Sequence, residues 1–121
     1  MFGYGPVMIS QAVKASEDLE RQGIGLKVVN LPWLNTVDSE WLAWIVGSHP
    51  WVFTLDDHYI IGGQGDMIMS RLDQLDLESH PKAQKLGVDR ITECGSNDDV
   101  LHANGLDAEG IAATVASAQG G

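Results

Sequence analysis

WVFTLDDHYIIGGQG, residues 51–65, is the stretch from which the fold can be read. It opens as a short apolar run rich in aromatic and β-branched residues, the composition of a buried strand. It passes through Asp56, Asp57, His58 and Tyr59, then two isoleucines, and ends in Gly62, Gly63 and Gly65. Glycines here let the chain turn sharply and bring a helix start against the sheet. The expected order is strand, polar loop, glycine turn, helix, which is half of an α/β unit. Its polar residues fall at the strand's C-terminal end, where open α/β sheets carry function.

Working outward, the rest of the chain alternates in the same way. Pro6 suits a first helical position, and Met8, Ala12, Ala15 and Leu19 fall on one helical face, predicting a helix from about Pro6 to Gln22, with Gly23 as a stop. A rival reading makes Val7–Ile9 a strand and starts the helix at Ser10; the long apolar face favours the first. Residues 26–31 (LKVVNL) read as a strand stopped by Pro32. Asp38 is an expected N-cap, with Val37 and Leu42 as a hydrophobic staple. The helix that follows carries Trp41, Leu42, Ile45 and Val46 inward and ends at Gly47. After the glycine turn a helix from about Gln64 to Leu75 buries Ile68, Leu72 and Leu75. Lys82–Val88 reads as an edge strand, because lysines protect an exposed edge. Ser96 and Asp99 form a capping box, with Asn104-Gly105 ending that helix. Asp107 caps a last helix that faces Ile111, Val115 and Ala118 inward, and Gly120-Gly121 is expected to fray. Strands alternating with crossover helices predict a mostly parallel sheet with helices on both faces.

Composition sets outer bounds. The 121 residues suit one domain, and 44% apolar with 20% charged residues is enough to build a core. Seventeen acidic against seven basic residues give a net charge of −10, which disfavours nucleic acid and anionic membrane surfaces as partners. No apolar run approaches the roughly 20 residues of a spanning helix. MFGYGPVM lacks the basic start of a signal peptide. The single cysteine, Cys94, cannot pair internally and fits a reducing cytoplasm; it is expected to be half-buried and inert.

The ordered pieces carry a resemblance. They are Tyr4-Gly5-Pro6 with Ala12 and Ala15, Gly23-Ile24, Lys27–Pro32, Val37-Asp38, Asp56-Asp57-His58, Gly62-Gly63-Gln64-Gly65, Leu86-Gly87-Val88 and Gly105-Leu106-Asp107. Together they resemble the C-terminal domain of transketolase-like, thiamine-diphosphate-dependent enzymes. That group includes transketolase, deoxyxylulose-phosphate synthase and the β-subunits of 2-oxoacid dehydrogenases. The resemblance implies a three-layer α/β/α sandwich, mostly parallel with one possible antiparallel strand, spanning residues 1–121. It implies an assembly role without catalysis by this domain itself, in a parent enzyme that performs two-carbon ketol transfer or decarboxylates a 2-oxoacid. Thiamine diphosphate and Mg would be held by other domains of a homodimeric parent. Three departures stand out: the cofactor-binding domains are absent, the first strand is short, and Val37-Asp38 lacks the family's usual proline. The expectation is a domain excised from, or encoded apart from, a larger enzyme.

Candidate chemistry is sparse. Asp56, Asp57 and His58 could form an acid/base group, but no nucleophile stands beside them, and consecutive residues rarely aim at one point. The favoured reading is a loop of Asp56, Asp57, His58 and Tyr59, with Gly62, Gly63 and Gly65, that faces a neighbouring domain or subunit. The alternatives are a small-anion or regulatory site at the glycine turn and a docking domain of the oxoacid-dehydrogenase type. His49, His58, His80 and His102 lack zinc-ligand spacing. Of the four tryptophans, Trp41 and Trp51 are expected in the core. Trp33 and Trp44 are expected outside it, as an interface patch.

Overall fold

A computed structural model describes every residue except Glu93 and Gly121. Four strands, β1 (Phe2–Gly3), β2 (Val29–Asn30), β3 (Trp51–Tyr59) and β4 (Lys82–Val88), form one sheet in the order β2-β1-β3-β4. All three pairings are parallel; the optional antiparallel strand is not found among the described residues. Among the described residues five helices cover it: α1 (Pro6–Glu20), α2 (Ser39–Val46), α3 (Gln64–Asp73), α4 (Asn97–Ala103) and α5 (Ala108–Gly120).

The pleat of β3 divides the core. Phe53 and Leu55 point into a cluster with Met8, Ala12, Ala15 and Leu19 of α1, Leu101 of α4, and Ile111 and Val115 of α5. Val52 points the other way, to Phe2, Leu42 and Val46 of α2 and Ile68 and Leu72 of α3. Alternate side chains of a strand face opposite ways, so one apolar strand supplies both layers of the three-layer sandwich. The residues expected on the inner face of α1 are the four that are buried there. Gln11 adds a polar tie, accepting the Ala108 N–H at the start of α5 at 2.8 Å.

Local signals act where the sequence places them. Asp38 accepts the Trp41 N–H at 2.7 Å as the N-cap of α2, and Val37 and Leu42 are buried in the same cluster. Ser96 and Asp99 form the expected capping box on α4. Two bounds differ. The strand expected over residues 26–31 is ladder-paired only at Val29–Asn30, because β2 has β1 as its one neighbour and β1 spans Phe2–Gly3. The helix α3 closes at Asp73, two residues short of Leu75, which still packs on the core. The expected fraying at Gly121 lies outside the described residues, and Gly120 ends α5.

Candidate functional site

The four strands run parallel, so their C-terminal ends share one rim of the sheet. From β1 the chain leaves toward β2 through α1 on one face. From β3 it leaves toward β4 through α3 on the other. The adjacent strands β1 and β3 therefore flank a topological switch point, where open α/β sheets form their ligand crevice.

That crevice is filled by the protein's own side chains. Asp56 is not in an outward loop, as the sequence suggests, but on β3 and fully buried. Its Oδ1 accepts the Tyr4 hydroxyl at 2.8 Å and the Gln64 N–H at 2.7 Å. Its Oδ2 accepts the Gly65 N–H at 2.9 Å. The two N–H groups belong to the first turn of α3, which has no capping side chain of its own. Asp56 thus serves the orphan donors and the positive end of the helix dipole from the strand that α3 packs against. Burial, and then the hydrogen bond to Asp56, hold the Tyr4 phenol far above its ordinary range.

The glycines have a steric reason. A Cβ at Gly63 would lie 2.5 Å from Asp56 Oδ1, and one at Gly65 would lie 2.6 Å from Thr54 Oγ1. Only glycine allows helix and carboxylate to approach this closely. Gly62 has φ +82°, and its N–H donates to Asp66 Oδ2 at 2.6 Å. Asp66 in turn pairs with Lys85, which also donates to the Ile60 carbonyl at 3.2 Å. Hydrogen bonding from Lys85, then from Gly62, holds the Asp66 carboxyl below the usual range.

Asp57, His58 and Tyr59 are exposed. They belong to an irregularity in β3. Leu55 pairs with Leu86 and Tyr59 with Val88, so four steps on β3 match two on β4. Gly87 lies opposite, and a Cβ there would come within 3.0 Å of Ile60 Cα. The bulge separates the three polar residues: Asp56 goes inward while Asp57 and His58 go outward. His58 Nδ1 lies 2.8 Å from the Tyr59 carbonyl oxygen, so the acid/base group considered from sequence is not assembled.

Gln64 is the buried polar residue of the candidate site that no sequence motif singles out. It is buried, and its Nε2 donates to the carbonyls of Leu31 at 2.6 Å and Trp33 at 2.9 Å. A polar residue inside a glycine run was the available signal. The segment after β2 is thereby tied against the glycine turn, and Trp33 and Leu34 project from it 64% and 52% exposed. With Tyr59 at 56% and Ile61 at 78%, they make the rim apolar at the ends of β2 and β3. Trp44 is exposed on α2, whereas Trp41 and Trp51 are partly buried against the core clusters. Cys94 is exposed rather than half-buried.

The turn does not fit a diphosphate. Such a group needs free N–H donors at a helix start, and those of Gly62, Gln64 and Gly65 already serve Asp66 and Asp56. The same occupancy weighs against a small-anion site there. Among the described residues no group of three or more His, Cys, Asp or Glu is placed to hold a metal. Among the described residues no helix is long and apolar enough to cross a membrane.

Fold and site together define a doubly wound α/β domain with a sealed switch point and an apolar rim. The family model described as "Transketolase, C-terminal domain" matches residues 1–111, and the chain belongs to that family. It is 34% identical over 114 residues to a 1-deoxy-D-xylulose-5-phosphate synthase of Dehalococcoides mccartyi, covering 93% of this chain and 18% of the relative. It is 32% identical over 120 residues to the enzyme of the same name from Chlorobium luteolum, covering 91% of this chain and 18% of the relative. The chain thus spans under a fifth of the length of these relatives, which are larger enzymes. A solved structure described as a split-gene transketolase, inactive β4 tetramer, superposes with a TM-score of 0.84 at 28% identity, covering 96% of this chain and 37% of that one.

Proposed function

We propose that this chain is the C-terminal assembly domain of a transketolase-type thiamine-diphosphate enzyme, without catalytic activity of its own, working in the cytoplasm. The parent reaction is two-carbon ketol transfer, and thiamine diphosphate and Mg are held by the cofactor-binding domains of the same enzyme. The observation that carries this reading is the rim. Trp33, Leu34, Tyr59 and Ile61 are exposed beside a crevice that the chain has closed with Tyr4 and Asp56. Large exposed apolar side chains grouped on one edge mark a contact surface, while a filled crevice leaves no room for a substrate.

The occupant of the rim is a second copy of the domain, as in a homodimeric parent. The split-gene transketolase neighbour, described as a β4 tetramer, supports this choice. Asp57 and His58 flank the rim as polar residues, the arrangement of an apolar centre with a polar border.

Two measurements test the reading. Calorimetric titration of the chain with thiamine diphosphate and Mg²⁺ should give no heat of binding; tight binding would refute the claim that the cofactor is held elsewhere. Sedimentation equilibrium should show concentration-dependent self-association that Trp33→Asp and Ile61→Asp each abolish. A chain that stays monomeric at all concentrations would refute the copy-to-copy contact.

A further inference from the structure

Between β2 and α2 the chain runs from Leu31 to Asp38 with no regular secondary structure. Pro32 cannot donate a main-chain hydrogen bond. Among the described residues, Gln64 is the side chain that hydrogen-bonds this arm, through Nε2 to Leu31 O and Trp33 O. Val37 anchors the far end by burial. The amide of Gln64 spends its donor capacity on these two carbonyls, and its Oε1 is buried without a partner. Leaving a buried acceptor unpaired is costly, so the amide is held by what its nitrogen binds. The main-chain N–H of the same residue is held by Asp56. One residue therefore joins the buried carboxylate, the start of α3 and the arm that presents the most exposed large apolar side chain of the β2 end, Trp33.

We infer that Gln64 is a positioning residue for assembly: it fixes the Leu31–Leu34 arm so that Trp33 is presented as the anchor of the contact with a second copy. The inference rests on the assembly reading above and adds to it the device that orders the contact surface. An aromatic anchor contributes most when it is held in place before contact, because the entropy of ordering it is then not lost on association. A tryptophan on an untethered, proline-bearing arm would lose that advantage. The specificity of the contact then depends on a buried amide that does not itself touch the partner.

The test uses the full chain labelled with 5-fluorotryptophan, the Trp33 resonance being assigned with Trp33→Phe. In Gln64→Met, which keeps volume but removes both donors, the Trp33 resonance should shift and sharpen while those of Trp41 and Trp51 stay in place. Amide exchange of residues 33–35 should accelerate. Self-association by sedimentation should weaken about tenfold, as in Trp33→Ala, and the double variant should be no weaker than either single one. Gln64→Glu should lose association near neutral pH, where a carboxylate faces two carbonyls. It should regain association as the pH falls and the protonated acid can donate again. A Trp33 resonance unmoved in Gln64→Met overturns the inference, as do losses that add in the double variant. If the resonance moves but Trp33→Ala leaves association unchanged, the tether stands as structure, and both the positioning role and the assembly reading at this rim fall. If Gln64→Met proves unfolded, Gln64→Glu carries the same decision through its pH profile.

Discussion

The hydroxyl of Tyr4, in the turn after β1, donates to the buried carboxylate of Asp56 on β3 at 2.8 Å, and this bond spans the point where the two halves of the sheet diverge. Removing the hydroxyl in Tyr4→Phe should destabilise the fold by about 1.5–3 kcal/mol, as for hydrogen bonds to charged groups. Asp56→Ala should cost more, about 3 kcal/mol or above, because it also strands the N–H groups of Gln64 and Gly65. Urea unfolding followed by circular dichroism measures both. Equal losses for the two variants would show that the helix donors find water instead.

Gly63→Ala should cost about 1–3 kcal/mol through overlap with Asp56, since its Cβ would lie 2.5 Å from Oδ1. Gly62→Ala should cost about 1–2 kcal/mol for a different reason, the left-handed backbone at φ +82°, with nothing within 4 Å of its Cβ. A double-mutant cycle separates them. In an Asp56→Ala background the penalty at Gly63 should shrink, whereas that at Gly62 should persist. Unchanged coupling at Gly63 would mean that its constraint lies elsewhere.

His102 and Asp107 join α4 to α5, with Nδ1 2.7 Å from Oδ2. Hydrogen bonding to Asp107 raises the His102 pKa. For Asp107, partial burial pushes upward, but the Gly110 N–H, which donates at 2.9 Å, and His102 outweigh it and the pKa falls. The signs follow by linkage. The histidine's contribution is complete below its unfolded pKa and is lost as pH rises through the higher folded value. The carboxylate's contribution is complete above its unfolded pKa and is lost as pH falls through the lower folded value. The pair therefore supports the α4–α5 corner between these limits. An NMR titration should place the His102 midpoint above that of an ordinary histidine, and Asp107→Asn should bring it down. A midpoint indifferent to that substitution would remove the pair from the account.

Cys94 is exposed, so it should react with a disulfide reagent in the native chain at the rate of an open thiol, with no acceleration in urea. Slow native reaction that speeds on unfolding would restore the half-buried placement expected from sequence.

Periodicity and capping signals made most of the fold legible. The inner face of α1, the Asp38 cap, the Ser96–Asp99 box and the bounds of β4 are all local or short-range features, and local chemistry sets them. The strand before Pro32 is shorter than its composition predicts because ladder pairing depends on a neighbour, here a two-residue β1. The site was legible as a place but not as an arrangement. A run of Asp-Asp-His reads as a polar loop, since carboxylates rarely go inside unpaired. Asp56 is inside because Tyr4 and the first turn of α3 supply three donors, and one of those partners lies 52 positions away in sequence. The role of Gln64 is illegible in the sequence for the same reason: its partners, Leu31 and Trp33, contribute main-chain carbonyls that no side-chain pattern announces.

The occupied glycine turn also has a meaning in terms of local concentration. Asp56 acts on α3 as an anion tethered within the same chain, present at a far higher effective concentration than any free carboxylate or phosphate could reach. Free anions therefore compete poorly for this helix end while β3 is in place. Shortening the side chain in Asp56→Gly would turn the seal into a vacancy of acetate size, which dissolved acetate or formate could enter and restabilise. A sequence in this family that lacks the strand carboxylate while keeping the glycines would, by the same physics, carry an open anion site where this chain carries a closed one.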